Sequence, residues 1–314
     1  MNININPKLQ KQLHGLHSNL NTLIQLYEKN NLSNKILLSG PKGIGKSTLA
    51  YHFINYIFSK DEKCSYNLND FIINEQNRSF KLIENQSHPN IFTIDLLDDK
   101  KSIDVSQVRE MISYANKSSF NNKPRLVLID NVENLNTNSL NALLKIVEEP
   151  NENLFFILIH DSRKKILDTL KSRCIVFKLN LTYDKSLDVT NKILGINIFE
   201  YLNEDLINYY SSPGELVNII NFSINNNIDL KKISLKEFLL LLINQNYYSK
   251  DKFIKLYIFN IIQNYFLYLL NKTNTKDNIY MLHNRFIKMN YNCIKYNLNY
   301  ENLFIEFKTK ILNE

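Results

Sequence analysis

The chain has 314 residues, 44% of them hydrophobic, and a formal charge of +7, which excludes a disordered polypeptide and leaves room for two or three domains with cores of their own. Its three cysteines, Cys64, Cys174 and Cys293, are too far apart for a disulfide framework or a zinc cluster of C-x-x-C spacing, so no zinc is expected and a reducing cytoplasm is the expected compartment. The positive balance favours a polyanionic partner, although a Lys-rich composition produces the same excess by itself.

The first residues, MNININPKLQKQLHGL, lack the apolar core of an export signal. Over 19–27 the apolar positions Leu20, Leu23, Ile24 and Tyr27 recur at helical spacing; 35–39 reads as a short apolar strand and 47–58 as a helix. Buried strands are predicted at 90–96, 125–130 and 154–160, separated by helices at 105–115 and 139–148. A helix-like stretch at 164–171 leads to a last strand at 174–179. Strands alternating with helices imply a mostly parallel sheet covered on both faces. Beyond it the β-branched runs fade. Residues 182–229 read as short amphipathic segments broken by Gly195 and Pro213-Gly214, a small helical subdomain; 230–314 reads as a separate helical bundle with periodic runs at 235–243 and 253–270. The second of these runs is interrupted by Lys255, Asn260, Gln263 and Asn264, so an amphipathic helix is expected there and no membrane span.

Of the six glycines, three fall within one loop. Gly40-Pro41-Lys42-Gly43-Ile44-Gly45-Lys46-Ser47 fits G-x-x-x-x-G-K-[ST] and lies between a predicted strand and a predicted helix, the context that motif needs. Glycines let backbone amides curl around phosphates, Lys46 brings charge to the β and γ phosphates, and the Ser47 hydroxyl can ligate Mg²⁺; Thr48 follows within the same helical start. Leu126 to Ile129 form an apolar run ending in Asp130, which a parallel sheet sets beside the phosphate loop, able to hold Mg²⁺ through water. The next residue is Asn131, and an amide cannot act as a general base. Ser172-Arg173-Cys174 follows the helix-like stretch; by composition alone Arg173 is a helix-end or surface charge. No His or Asn pairs with Cys174 to make it a nucleophile.

Taken together these segments resemble the delta-prime family of bacterial DNA polymerase III clamp-loader subunits. The resemblance rests on GPKGIGKSTLA, on residues 88–111 (HPNIFTIDLLDDKKSIDVSQVREM), on RLVLIDNVENLNTNSLNALLKIVEEP at 125–150, and on FFILIHDSRKKILDTLKSRC ending at Cys174. It covers roughly the first 180 residues, with the helical remainder similar in size and order. The resemblance implies an α/β AAA+ P-loop module, a parallel sheet with flanking helices, at 1–180, an α-helical lid at 181–229 and an α-helical collar at 230–314. It further implies ATP and Mg²⁺ as cofactors, held by Gly40 to Thr48 and Asp130. The implied partners are the motor (gamma/tau) and delta subunits in a hetero-pentamer, the sliding clamp, and primer-template DNA through its phosphates. In that setting Arg173 is the arginine finger, acting in trans on ATP bound by the adjacent motor subunit.

Three features depart from the family pattern: Asn131 stands where a hydrolysing relative carries Glu, the stretch Ser211-Ser212-Pro213-Gly214-Glu215-Leu216 holds no arginine, and the zinc cysteines are missing. The first two predict ATP binding with slow or absent turnover. The third leaves residues 64–86 either folded by packing or a loose insertion. Two alternatives stand beside this reading: a self-sufficient AAA+ motor ATPase resembling the gamma/tau subunit, which Asn131 and the lid disfavour, and an unrelated P-loop kinase, for which the helical C-terminal region is too large.

Overall fold

The computed structural model describes residues 3–97, 100–117, 123–148, 151, 153–208, 210–272 and 276–312. Residues 98–99 and 149–150, within two of the segments that carry the resemblance, lie outside the described residues. The elements in chain order are α1 (His17–Glu28), β1 (Lys35–Gly40), α2 (Lys46–Ser59), α3 (Arg78–Glu84), β2 (Ile91–Ile94), α4 (Val105–Ala115), β3 (Arg125–Ile129), α5 (Thr137–Glu148), β4 (Leu154–Asp161), α6 (Asp168–Lys171), β5 (Ile175–Lys178), α7 (Tyr183–Leu194), α8 (Pro213–Asn226), α9 (Leu235–Asn244), α10 (Tyr247–Lys250), α11 (Lys252–Lys272), α12 (Lys276–Tyr296) and α13 (Glu301–Phe307). The chain divides into two compact units. One comprises residues 3–193 with 212–217, the other 194–211 with the chain from 218 onward.

In the first unit five parallel strands lie in the order β2-β3-β4-β1-β5. Because side chains alternate along a strand, each strand feeds two cores. Ile36 and Leu38 of β1, Leu126 and Leu128 of β3, and Ile157 and Ile159 of β4 pack on one face with Leu20, Ile54 and Phe58 of α1 and α2. Leu37, Val127, Ile129, Phe156 and Leu158 pack on the other with Val108 and Met111 of α4 and Leu143 and Val147 of α5. Apolar residues on both faces explain why these strands read as continuous hydrophobic runs, as expected for a parallel sheet covered by helices on both sides.

Residues 64–86, open between two alternatives in the sequence, are folded by packing. Tyr66, Ile73, Phe80 and Ile83 join the first core. Glu62 supplies the polar anchor, its carboxylate accepting the Arg78 and Ser79 amides at 2.8 and 3.1 Å and the Ser79 hydroxyl at 2.5 Å. Asn77, fully buried, caps α3 by accepting the Phe80 amide at 2.7 Å and donates to the Cys64 carbonyl at 2.9 Å. The helix expected over 164–171 is shorter, beginning at Asp168, because residues 162–164 form a turn closed by the Lys164 amide on the Asp161 carbonyl at 2.9 Å. The expected strand at 90–96 contracts to Ile91–Ile94.

The second unit is helical. Its core is aromatic, with Phe266 against His283, Phe286 and Phe307, and Phe259 against Phe286, Tyr300 and Phe304. α11 is long and apolar enough, by length and composition, to cross a membrane. Here it packs along α9, α10 and α12 and buries Ile254, Tyr257, Ile258, Ile261, Ile262, Tyr265 and Phe266, the i, i+3, i+4 stripe of a core helix. α9 is fixed at its start by a reciprocal cap in which Ser234 Oγ accepts the Glu237 amide at 3.3 Å and Glu237 Oε2 accepts the Ser234 amide at 2.8 Å.

Candidate nucleotide site

The loop from Gly40 to Lys46 joins the end of β1 to the start of α2. Gly43 (φ +83°) and Gly45 (φ +92°) take left-handed conformations that a side chain resists, and a Cβ on Gly43 would lie 2.3 Å from Ser212 Oγ. Gly45 is the N-cap of α2 and offers no side chain, so the first-turn amides are left for an external anion. Lys46 is 7% exposed; its ammonium donates to the Gly40 and Pro41 carbonyls at 2.8 and 2.6 Å. Burial lowers its pKa to about 8, against the pull of Asp161, Asp130 and Glu133.

Asp130 stands immediately beyond β3, and its Oδ2 accepts a hydrogen bond from Ser47 Oγ. Burial raises its carboxyl to about 6, opposed by the Ser47 bond and reinforced by Asp95. A carboxylate in that state takes up either a proton near neutrality or a hard cation in its place. With the Ser47 hydroxyl beside it, the donor set is two hard oxygens, which fits Mg²⁺ completed by phosphate and water ligands. Among the described residues no group of three or more His, Cys, Asp or Glu gathers as a metal centre, and Mg²⁺ bound with a nucleotide needs none.

Asn131 adopts φ 55°, ψ 45°, the left-handed region in which Asn is favoured among side-chain-bearing residues. Its amide nitrogen donates to Asp95 Oδ1 at 2.8 Å. Backbone and side chain alike are thus committed at the position that follows the strand-terminal Asp130.

Sequence reasoning missed a second polar layer. Asp161 ends β4 opposite Gly40 and is 8% exposed; Glu133, its side chain 1% exposed, accepts the Asp161 amide at 3.2 Å and faces Lys164 at 3.5 Å. Arg163 meets Asp161 Oδ1 and Glu215 Oε1, each at 3.2 Å. Burial alone would raise the Asp161 carboxyl, but the Arg163 hydrogen bonds outweigh it and hold the group below its ordinary value. The available signal was the strand-terminal Asp of ILIHD, the same device as Asp130 at the end of RLVLID. A cavity of about 230 Å³ opens over these groups, lined on its phosphate side by Gly43 to Thr48, Asp130 and Asp161 and on its apolar side by Pro7, Leu13, Val189 and Ile193.

Arg173 lies elsewhere. It pairs with Glu148 at the end of α5 through Nε at 2.9 Å and through Nη2, and Nη1 donates to the Thr169 carbonyl at 2.8 Å. β5 begins two residues later, with Ile175 opposite Ile36, whereas the phosphate loop leaves from Gly40. Four residues of strand, about 13 Å, separate those two levels of the sheet. The fold therefore gathers Gly40 to Thr48 with Asp130 and keeps Arg173 away from them. Cys174, partly buried, has its thiol pushed up to about 11 by that burial, which removes thiolate character at neutral pH.

With this arrangement in view, the family comparison is decisive. A family model described as "DNA polymerase III, delta subunit" matches residues 15–182, more than half of the chain. The chain belongs to the DNA polymerase III delta subunit family. Curated relatives include the DNA polymerase III subunit delta' of Pseudomonas aeruginosa, 30% identical over 139 residues that cover 44% of this chain and 40% of that protein. The subunit delta' of Bacillus subtilis is 26% identical over 195 residues, 61% of this chain and 55% of that protein. The subunit gamma of Buchnera aphidicola subsp. Schizaphis graminum is 30% identical over 204 residues, 62% and 53% respectively. The chain spans about half the length of the curated relatives it matches. The resemblance to delta-prime read from the sequence is borne out by the family match and by these delta' relatives.

Proposed function

We propose that the chain serves as a stator-like clamp-loader subunit, binding ATP and Mg²⁺ in its own loop, turning ATP over slowly or not at all, and supplying Arg173 to a neighbour. Residues 1–180 act as the nucleotide-binding module, 181–229 as a helical lid and 230–314 as a collar through which gamma/tau and delta subunits assemble into a pentamer. The work is cytoplasmic: helping to open the sliding clamp and load it on primed DNA, with DNA held by its phosphates and hence strongly salt-dependent binding.

The observation that carries this reading is the contrast inside one module. Lys46, Ser47 and Asp130 are assembled for a triphosphate and its cation, whereas Asn131 cannot take a proton from water and is tied to Asp95. Arg173, about 13 Å of strand from the level of its own phosphate loop, has a cationic fork suited to a phosphate bound by another subunit. Gly40 to Thr48 would hold ATP, and Ser47 and Asp130 would hold Mg²⁺, which supplies positive charge to the phosphates. The alternative, a self-sufficient motor, draws on the intact loop and on the gamma relative. Equilibrium ATP binding and steady-state turnover of the isolated chain separate the two. Saturable binding that Lys46→Ala abolishes, with turnover near background, supports the stator; vigorous saturable hydrolysis by the chain alone overturns it.

A further inference from the structure

The strap that precedes α1 lines the nucleotide cavity with Gln10, Gln12, Leu13 and His14, and it is held from behind by a turn between α2 and α3 that does not line the cavity. The Leu13 amide donates to the Phe71 carbonyl at 3.1 Å and the Ile73 amide to the Lys11 carbonyl at 2.8 Å, which sets Gln12 antiparallel to Ile72. Deeper in, the buried His52 ring donates to the Gln10 carbonyl at 3.1 Å and accepts the Tyr66 hydroxyl at 2.8 Å. The turn is closed on itself: Asn67 and Ile72 exchange both backbone hydrogen bonds, at 3.0 and 3.1 Å, and Asn67 Oδ1 accepts the Asn69 and Asp70 amides at 3.0 and 3.2 Å. Within it Phe71 stands at φ 57°, a left-handed conformation that a bulky residue rarely takes and that persists only where the surroundings hold it. Its ring stacks on His17, centroids 4.2 Å apart and planes at 14°. His17 opens α1, and its Nε2 donates to the Leu13 carbonyl at 2.7 Å.

The strained residue therefore meets Leu13 twice, directly through its carbonyl and indirectly through the His17 ring. A triphosphate drawn by its charge to Gly43 to Thr48 leaves its base and ribose for the apolar side of the cavity, where Leu13 lies. The Lys11–Glu75 ion pair on the outside is exposed and adds little to this tie. We infer that Phe71, stacked on His17, is a positioning residue that clamps the strap 10–14 at the base end of the nucleotide cavity, so that the surface turn 67–73 sets affinity for the nucleoside part of a bound triphosphate and leaves the phosphate loop untouched. A strap that must be in place before it can receive a base lowers apparent affinity by the fraction of time it is out of place, so loosening the turn weakens binding from outside the cavity. This deepens the nucleotide-binding reading and rests on it.

The test compares affinity for ATP with affinity for inorganic tripolyphosphate, which occupies the loop and has no base, by titration with Mg²⁺ on the full chain and its Phe71→Gly and Phe71→Tyr variants. Hydrogen exchange at 11–13 and 71–73 is the second readout. Phe71→Gly removes the ring but puts a residue at ease at φ 57°, so the turn keeps its shape. It should weaken ATP about fivefold, the worth of one aromatic pair, and tripolyphosphate less than about 1.5-fold. Phe71→Tyr, which keeps the stack, should recover most of that loss. ATP should slow exchange at 11–13 and 71–73 in the unaltered chain, and Phe71→Gly should speed it there before ATP is added. Equal losses for ATP and tripolyphosphate, unchanged ATP affinity in Phe71→Gly, or exchange at 11–13 indifferent to ATP would overturn the inference while leaving nucleotide binding standing. Absence of ATP binding by the unaltered chain would bring down both.

Discussion

The two compact units bury similar shares of their residues as apolar side chains but differ in what else they bury. The first holds Lys46, His52, Asn77, Arg125, His160 and Asp161 below 9% exposure, whereas the polar residues buried in the second are hydroxyls such as Ser211 and Ser223. Buried charge is expensive unless paired: Lys46 and Asp161 are each paired beside the phosphate loop, whereas Arg125, away from it, donates to the Tyr114 carbonyl at 3.0 Å. The helical unit spends its interior on Phe–Phe packing and leaves Leu256, Met281, Tyr291 and Ile294 exposed. The phosphate loop and its polar partners lie in the first unit, the aromatic packing in the second.

Truncating each core sharpens that contrast most strongly. Phe156→Ala, in the fully buried centre of β4, should cost about 3–5 kcal/mol and abolish nucleotide binding. Phe266→Ala in the helical unit should cost a similar amount, yet leave affinity for ATP within about twofold at a temperature where the first unit stays folded. Domain-resolved hydrogen exchange and nucleotide titration together check both; loss of ATP binding in Phe266→Ala would break the comparison.

Next in size are the buried titratable groups. His52 is fully buried, its ring nitrogens engaged by the Tyr66 hydroxyl at 2.8 Å and the Gln10 carbonyl at 3.1 Å, and burial lowers its pKa to about 4. The unfolded chain takes up that proton near pH 6.5, so the stability His52 contributes is present above pH 6.5 and is lost as pH falls toward 4, a loss of about 2–3 kcal/mol. Asp130 has the opposite sign. Its folded pKa, about 6, lies above the unfolded value, so its carboxyl favours the folded state at low pH and costs stability as pH rises through 6. Asp130→Asn should therefore stabilise the first unit by about 1–2 kcal/mol at pH 7.5 in chemical denaturation, while removing the Mg²⁺ dependence of nucleotide binding. An unchanged midpoint would contradict the burial argument.

The smallest effect is expected at the surface. Glu148→Gln breaks an exposed ion pair with Arg173 and should shift stability by less than about 0.5 kcal/mol.

What was legible in the sequence follows the same division. The phosphate loop, the five strands and Asp130 carry local signals: glycine spacing, continuous apolar runs, an acid at a strand end. Glu133, Arg163 and Glu215 carry none, because their meeting depends on β4 lying beside β1 and on α8 returning to Gly43, pairings far apart in the chain. α3 escaped notice because it spans seven residues and its anchors are polar, Glu62 and Asn77. α12 was absorbed into a general helical region, its buried positions Ile279, Phe286 and Cys293 recurring only every seventh residue.

The central claim is that Arg173 works on ATP held by another subunit. It is tested most directly by the clamp- and DNA-stimulated ATPase of a loader reconstituted with this chain or its Arg173→Ala variant, after equal assembly of the two is verified. The account predicts a fall of about 10³ at the neighbouring site, with ATP binding by this chain unchanged. Undiminished turnover in the variant loader would contradict it.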